Sequence, residues 1–140
     1  MINNSLIIFD LQGTLVKSMR PPILNGSVTT IQKLAQKNVL SIFTGATRTE
    51  TLNILNRLNI SQFFSPKNIV IKGSFSKKPN PEAVFWLISN NQPDKTYYIG
   101  DTRKDYKTAK NAKIPFVYVG KQKLGIAQIS SLDQLLNVKI

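Results

Sequence analysis

Five short apolar runs, each closed by a polar residue or glycine and separated by stretches of helical periodicity, leave this chain few folds to choose from. Ser5–Asp10 is aliphatic and aromatic up to its last residue and reads as a buried strand. Val39–Phe43, Asn68–Ile71, Tyr97–Ile99 and Phe116–Val119 read the same way. Between them, Val28, Ile31, Leu34 and Ala35 recur at helical spacing. Thr47-Arg48-Thr49-Glu50 has the form of a capping box, opening a helix with Leu52, Leu55 and Leu58 inward. Asn80 as N-cap and Pro81 in the first turn start another helix, Arg103–Ala112 forms a further one, and Leu132–Leu136 a short last one.

Strands alternating with helices of about ten residues mean βαβ units and a mostly parallel sheet covered on both faces. The expected fold is a Rossmann-like three-layer α/β/α sandwich with five strands. Arg20-Pro21-Pro22 and Asn25-Gly26 argue against regular structure around them, leaving a surface loop or a flap. With 140 residues, no repeat and no linker-like stretch, residues 1–140 read as one domain. Trp86 is assigned to the core rather than to a stacking platform. Of Tyr97 and Tyr98, which alternate along a strand, one is expected packed and the other partly covered.

Composition narrows the chemistry. The chain has no cysteine and no histidine, which removes disulfides, thiolate zinc sites and imidazole catalysis. Acid–base work falls to carboxylates, lysines, tyrosines or water. No run of about eighteen apolar residues exists to span a membrane, no secretory signal is evident, and the expected location is cytoplasmic. The net charge of +12 comes from 19 basic against 7 acidic residues. It fits a lysine-rich solvated surface, to which Lys104, Lys107, Lys110 and Lys113 belong, or contact with a polyanion such as nucleic acid.

In parallel sheets ligands bind beyond the carboxyl ends of the strands. There the chain places Asp10-Leu11-Gln12-Gly13-Thr14, Thr44-Gly45 and Gly100-Asp101 with Asp105, while Lys78-Pro79 precedes a helix. Three of the seven acidic residues cluster at these ends, in a strongly basic chain. The set suits phosphoryl transfer. A carboxylate attacks phosphorus, a divalent cation screens the meeting anions, and a lysine and a hydroxyl hold the remaining oxygens.

With these residues in order, the chain resembles the haloacid-dehalogenase-like hydrolase superfamily over nearly its whole length. The resemblance implies Asp10 as nucleophile with Gly13-Thr14 as its loop. It implies Thr44, Gly45 and Lys78 as the phosphate-binding and catalytic groups, and Asp10, Gln12, Asp101 and Asp105 at a magnesium ion. Lys78 rather than Lys77 matches because Pro79 and the helix start follow it; Arg48 is a further candidate for substrate phosphate.

One position departs from the pattern. The family's phosphatases carry aspartate two residues after the nucleophile as general acid and base, and here Gln12 stands there. An amide orients a water or a leaving oxygen but does not shuttle a proton. The expectation is a magnesium-dependent phosphohydrolase or phosphotransferase, slowed by Gln12 and acting through an aspartyl phosphate. The alternative is a degenerate module that binds phosphate or nucleic acid without turnover. Thr14 to Thr44 spans about 30 residues and Thr44 to Lys78 about 34, too little for a separate cap domain. The site is therefore expected to be open and to suit large phosphorylated substrates.

Overall fold

The computed structural model describes residues 2–121 and 125–137. Its central strand, β1 (Ser5–Phe9), is buried throughout and alternates sides as a strand must. Ile7 and Phe9 join one apolar cluster, Leu6 and Ile8 the other. After the hairpin β2 (Val16–Met19) and β3 (Pro22–Leu24), the chain forms α1 (Val28–Lys37), β4 (Val39–Phe43) and α2 (Arg48–Arg57). Then follow β5 (Ile69–Val70), α3 (Glu82–Asn91), β6 (Lys95–Gly100), α4 (Arg103–Ala112), β7 (Phe116–Val119) and β8 (Gln128–Ile129). Short 3-10 turns occupy Ser61–Phe63, Pro66–Asn68 and Leu132–Leu136.

The main sheet has the order β5-β4-β1-β6-β7-β8, and every neighbouring pair is parallel. Helices α1 and α2 supply Ile31, Leu34, Ile54 and Leu55 to one face. Helices α3 and α4 supply Ala83, Val84, Leu87, Ala109 and Ala112 to the other. This is the three-layer α/β/α fold that the alternation predicts, with six strands in place of five. The sixth, β8, is two residues long and carries no apolar run that a reading of the sequence could detect. Because β1 lies between β4 and β6 and the chain leaves it in both directions, the order reverses there. A crevice opens at such a reversal, beyond the carboxyl ends of the strands.

The segment read as irregular is ordered. β2 and β3 pair antiparallel, with Met19 opposite Pro22 and Val16 opposite Leu24. Proline is tolerated because Pro22 is the first residue of an edge strand. Asn80 is displaced from N-cap by one position, yet its side chain still accepts the Glu82 N–H at 2.9 Å. At α2, Thr47 accepts the Glu50 N–H, whereas the Glu50 carboxylate turns outward to Arg20 at 3.0 Å. Trp86 is not core: it is 39% exposed and packs on Phe75 with ring centroids 5.3 Å apart. Ala83, Val84 and Leu87 face the sheet instead. Tyr97 and Tyr98 are both buried.

Candidate active site

Asp10 stands one residue beyond β1, held in line by its N–H donating to the Ile99 carbonyl of β6 at 3.0 Å. The chain then turns tightly. Leu15 N–H reaches back to the Asp10 carbonyl at 3.2 Å, and Gly13 N–H donates to Val16 at 2.8 Å. Gly13 adopts a φ of +81°, and a Cβ there would run into the Asp101 carboxylate. Glycine is thus required twice, by the backbone conformation and by the approach of Asp101. The turn presents Thr14, whose hydroxyl donates to Asp101 Oδ1 at 3.1 Å.

Asp101 follows β6, and Thr102 caps α4 in a reciprocal box with Asp105. Asp105 is fully buried and both its oxygens are engaged. Oδ1 accepts the Tyr98 hydroxyl at 2.8 Å and meets Lys78 Nζ at 2.7 Å. Oδ2 accepts the Asp101 N–H, the Thr102 N–H and the Thr102 hydroxyl. Lys78 reaches in from before α3, its Nζ also 3.0 Å from Asp10 Oδ1 and 5.0 Å from the centre of the Phe43 ring. One ammonium therefore spans two carboxylates at the bottom of the cleft.

The two carboxylates divide unequally. Burial pushes Asp10 up to about 8; Lys78 pulls it down, while Asp105 and a hydrogen bond with Asp101 push it up. Asp105 feels burial too, yet Lys78, Tyr98 and Thr102 together hold it below the ordinary carboxylate value. Burial and the neighbouring Asp105 raise Tyr98 well above the ordinary tyrosine value, so its hydroxyl stays a donor.

On the far side Thr44 continues β4. Its hydroxyl accepts the Ala46 N–H at 3.0 Å, which leaves its own O–H to donate. Asp10, Gln12, Thr44, Gly45, Lys78 and Asp101 line one open cleft of about 1030 Å3, with the hairpin residues Lys17–Arg20 along its edge. Gln12 is exposed there. Asp105 lies beneath the floor, and Arg48 is not among the lining residues. Lys77 is exposed while Lys78 turns inward, as Pro79 and the helix start indicate.

The sequence reading missed three contributors. Thr102 was detectable, since Thr-x-x-Asp before a helix is a cap signal. Tyr98 was detectable only as one of two alternating tyrosines. The ion pair between Arg20 and Glu50 joins residues thirty positions apart and left no local mark.

Oxygen ligand atoms of Asp10, Asp101 and Asp105 lie within 4.8 Å of one another. An all-oxygen donor set suits a hard divalent cation such as magnesium, and a cation beside Asp10 would relieve the cost of ionising it. The donor set fits the ion, with Asp10 and Asp101 facing the cleft and Asp105 already committed to Lys78 and the turn.

The family model for haloacid dehalogenase-like hydrolases matches residues 20–119. No curated protein matches significantly. Among solved structures, a haloacid dehalogenase superfamily hydrolase from Geobacter sulfurreducens PCA superposes with a TM-score of 0.83 at 13% identity, covering 95% of this chain and 98% of that one. The core domain of a candidate phosphoglycolate phosphatase from Streptococcus pneumoniae TIGR4 is 26% identical, with a TM-score of 0.73 and coverage of 96% and 94%. The D,D-heptose 1,7-bisphosphate phosphatase from B. bronchiseptica, complexed with magnesium and phosphate, is 20% identical, with a TM-score of 0.72 and coverage of 94% and 98%.

Proposed function

Because the chain belongs to the haloacid dehalogenase-like hydrolase family, we propose that it is a magnesium-dependent phosphohydrolase or phosphotransferase in which Asp10 is the nucleophile. The observation that carries this reading is the placement of Lys78 between Asp10 and Asp105 in a cleft that also holds Thr44 and Asp101. Magnesium, held by Asp10 and Asp101 with the Gln12 position beside it, would supply charge neutralisation for the meeting anions.

An Asp10 carboxylate oxygen bonds to phosphorus as the bond from phosphorus to the leaving oxygen breaks. The product is an aspartyl phosphate and a leaving group that must collect a proton. Lys78 and the Thr44 hydroxyl donate to the non-bridging oxygens where negative charge develops. Asp105 acts through Lys78, fixing its ammonium, and through the N–H groups of residues 101 and 102. Water or another acceptor then attacks the aspartyl phosphate and restores the carboxylate. Gln12 lines the cleft as an amide, so it orients the leaving oxygen or the water and transfers no proton. Good leaving groups are therefore favoured.

Between Asp10 and α1 the chain builds only the small β2–β3 hairpin. This supports one domain without a cap, and a substrate whose bulk extends outside the cleft. A second reading, a module that binds phosphorylated ligands or nucleic acid without turnover, is favoured by the exposed Gln12 and the net charge of +12. The test is hydrolysis of an aryl phosphate with magnesium by wild type, Asp10→Asn and Asp101→Asn, with acid-quench trapping of the phosphoenzyme. Turnover and a trapped intermediate are expected in wild type and neither in Asp10→Asn. Activity surviving Asp10→Asn would remove the covalent mechanism.

A further inference from the structure

Asn25 is not among the residues that line the cleft, yet it grips the turn on which the nucleophile stands. It follows β3 directly and is only 2% exposed. Its side-chain Nδ2 donates to the Thr14 carbonyl at 3.1 Å, and its backbone N–H donates to the Leu15 carbonyl at 2.9 Å. Two successive peptides of the turn after Asp10 are thus held by one residue. The mount is braced from behind. The Asn25 carbonyl accepts the Leu132 N–H at 2.9 Å, and the Ser27 N–H donates to the Asp133 carboxylate at 3.0 Å. On its other side the held turn reaches both cleft carboxylates. Leu15 N–H donates to the Asp10 carbonyl, and the Thr14 hydroxyl donates to Asp101 Oδ1.

The amide is only half used. Asn25 Oδ1 is buried and is the one buried side-chain nitrogen or oxygen without a hydrogen-bond partner among the described residues. An unpaired buried acceptor costs the fold free energy, so an amide at this place is a poor choice for stability alone. What it supplies is a donor aimed at the Thr14 peptide. From this geometry we infer that Asn25 is a positioning residue: it fixes the Thr14 peptide so that the Thr14 hydroxyl holds Asp101 ready for the divalent cation. The inference rests on the phosphohydrolase reading for the presence of that cation, and it assigns part of the cation's binding to a residue outside the cleft.

Magnesium binding to the full chain is measured by calorimetry, with folding checked by the urea midpoint in chelator. Asn25→Leu keeps the approximate shape and removes both polar atoms. It should weaken magnesium by about tenfold, the low end for partners outside the ligand shell. Thr14→Val removes only the hydroxyl and should do the same. Because both act along one route, the double variant should also lose about tenfold, where independent effects would multiply to about a hundredfold. Asn68→Ala, at an equally buried asparagine before β5, should leave the affinity unchanged. In turnover of an aryl phosphate, Asn25→Leu should raise the magnesium needed for half-maximal rate by the same factor and leave KM for the phosphate unchanged. If Asn25→Leu fails to fold, Asn25→Ala removes the same donor without adding bulk. Wild-type affinity in a folded Asn25 variant overturns the inference. So does full multiplication in the double variant, which removes the route through Thr14, or an equal loss in Asn68→Ala, which makes the effect one of general loosening. Wild type that binds magnesium while the Asn25 variants bind it as tightly loses only this inference, whereas wild type that binds none overturns the metal-dependent reading from which it starts.

Discussion

Replacing Asp10 by asparagine should make the metal-free protein more stable, by an amount that grows with pH. Asp10 is 9% exposed, and burial, opposed by Lys78 and assisted by Asp105 and Asp101, carries it from 3.8 to about 8. A carboxyl whose folded value is raised favours its neutral form in the native state. Its contribution is therefore complete below pH 4 and is lost as pH climbs to about 8. At about 1.4 kcal/mol per pH unit the ceiling is about 6 kcal/mol. Water entering the open cleft screens the charge and brings the expected loss to about 2 kcal/mol. Asparagine keeps the shape and does not titrate. In chelator, thermal unfolding from pH 5 to pH 8 should then show the variant gaining on wild type, reaching about 6 °C in Tm at pH 8. Asp105, held below its ordinary value, contributes stability that is lost only on acidification below pH 4, outside this window. Magnesium at a hundredfold excess over its dissociation constant should restore about 2.7 kcal/mol to wild type and little to the variant. Parallel wild-type and variant curves across pH 5–8 would refute the account of Asp10 as a buried carboxyl kept from ionising.

Gln12→Asp should raise hydrolysis of a simple alkyl phosphate by about 10²-fold, with a much smaller gain on an aryl phosphate, as steady-state turnover of the two substrates will report. Asp105→Asn breaks the pair between the fully buried Asp105 and the largely buried Lys78 and should cost about 3 kcal/mol, read from the urea midpoint. Gly13→Ala forces a side chain onto the Asp101 carboxylate at positive φ. It should cost more than about 1 kcal/mol and weaken magnesium binding in a calorimetric titration. Arg20→Ala removes an ion pair whose arginine side chain is 86% exposed. It should change stability by less than about 1 kcal/mol, with the difference vanishing in molar salt.

The site was legible in the sequence because its residues sit where strands stop. Asp10, Thr44 and Asp101 each end an apolar run, and a carboxylate or hydroxyl there needs no tertiary information to be noticed. What escaped detection lay in places where local pattern carries no direction. Helix α3 runs Glu-Ala-Val-Phe-Trp-Leu-Ile, apolar on nearly every side, so periodicity could not say that Trp86 faces outward. The β2–β3 hairpin hides behind consecutive prolines, and β8 behind its two-residue length.

Strand β1 precedes in sequence every strand it pairs with and sits at the centre of the sheet. Its partner on one side is β4, and on the other side is β6, where Phe9 pairs with Ile99. Ninety residues separate that pair, so Asp10 acquires Asp101 and Asp105 only once β6 and the start of α4 have been made. Pairing across so long a loop is slow, and an early-emerging strand with both edges open is a template for other strands. During synthesis the same central position that later organises the cleft makes Ser5–Phe9 the segment most in need of shelter. A chain stalled before β6 leaves the β6-facing edge of β1 unpaired.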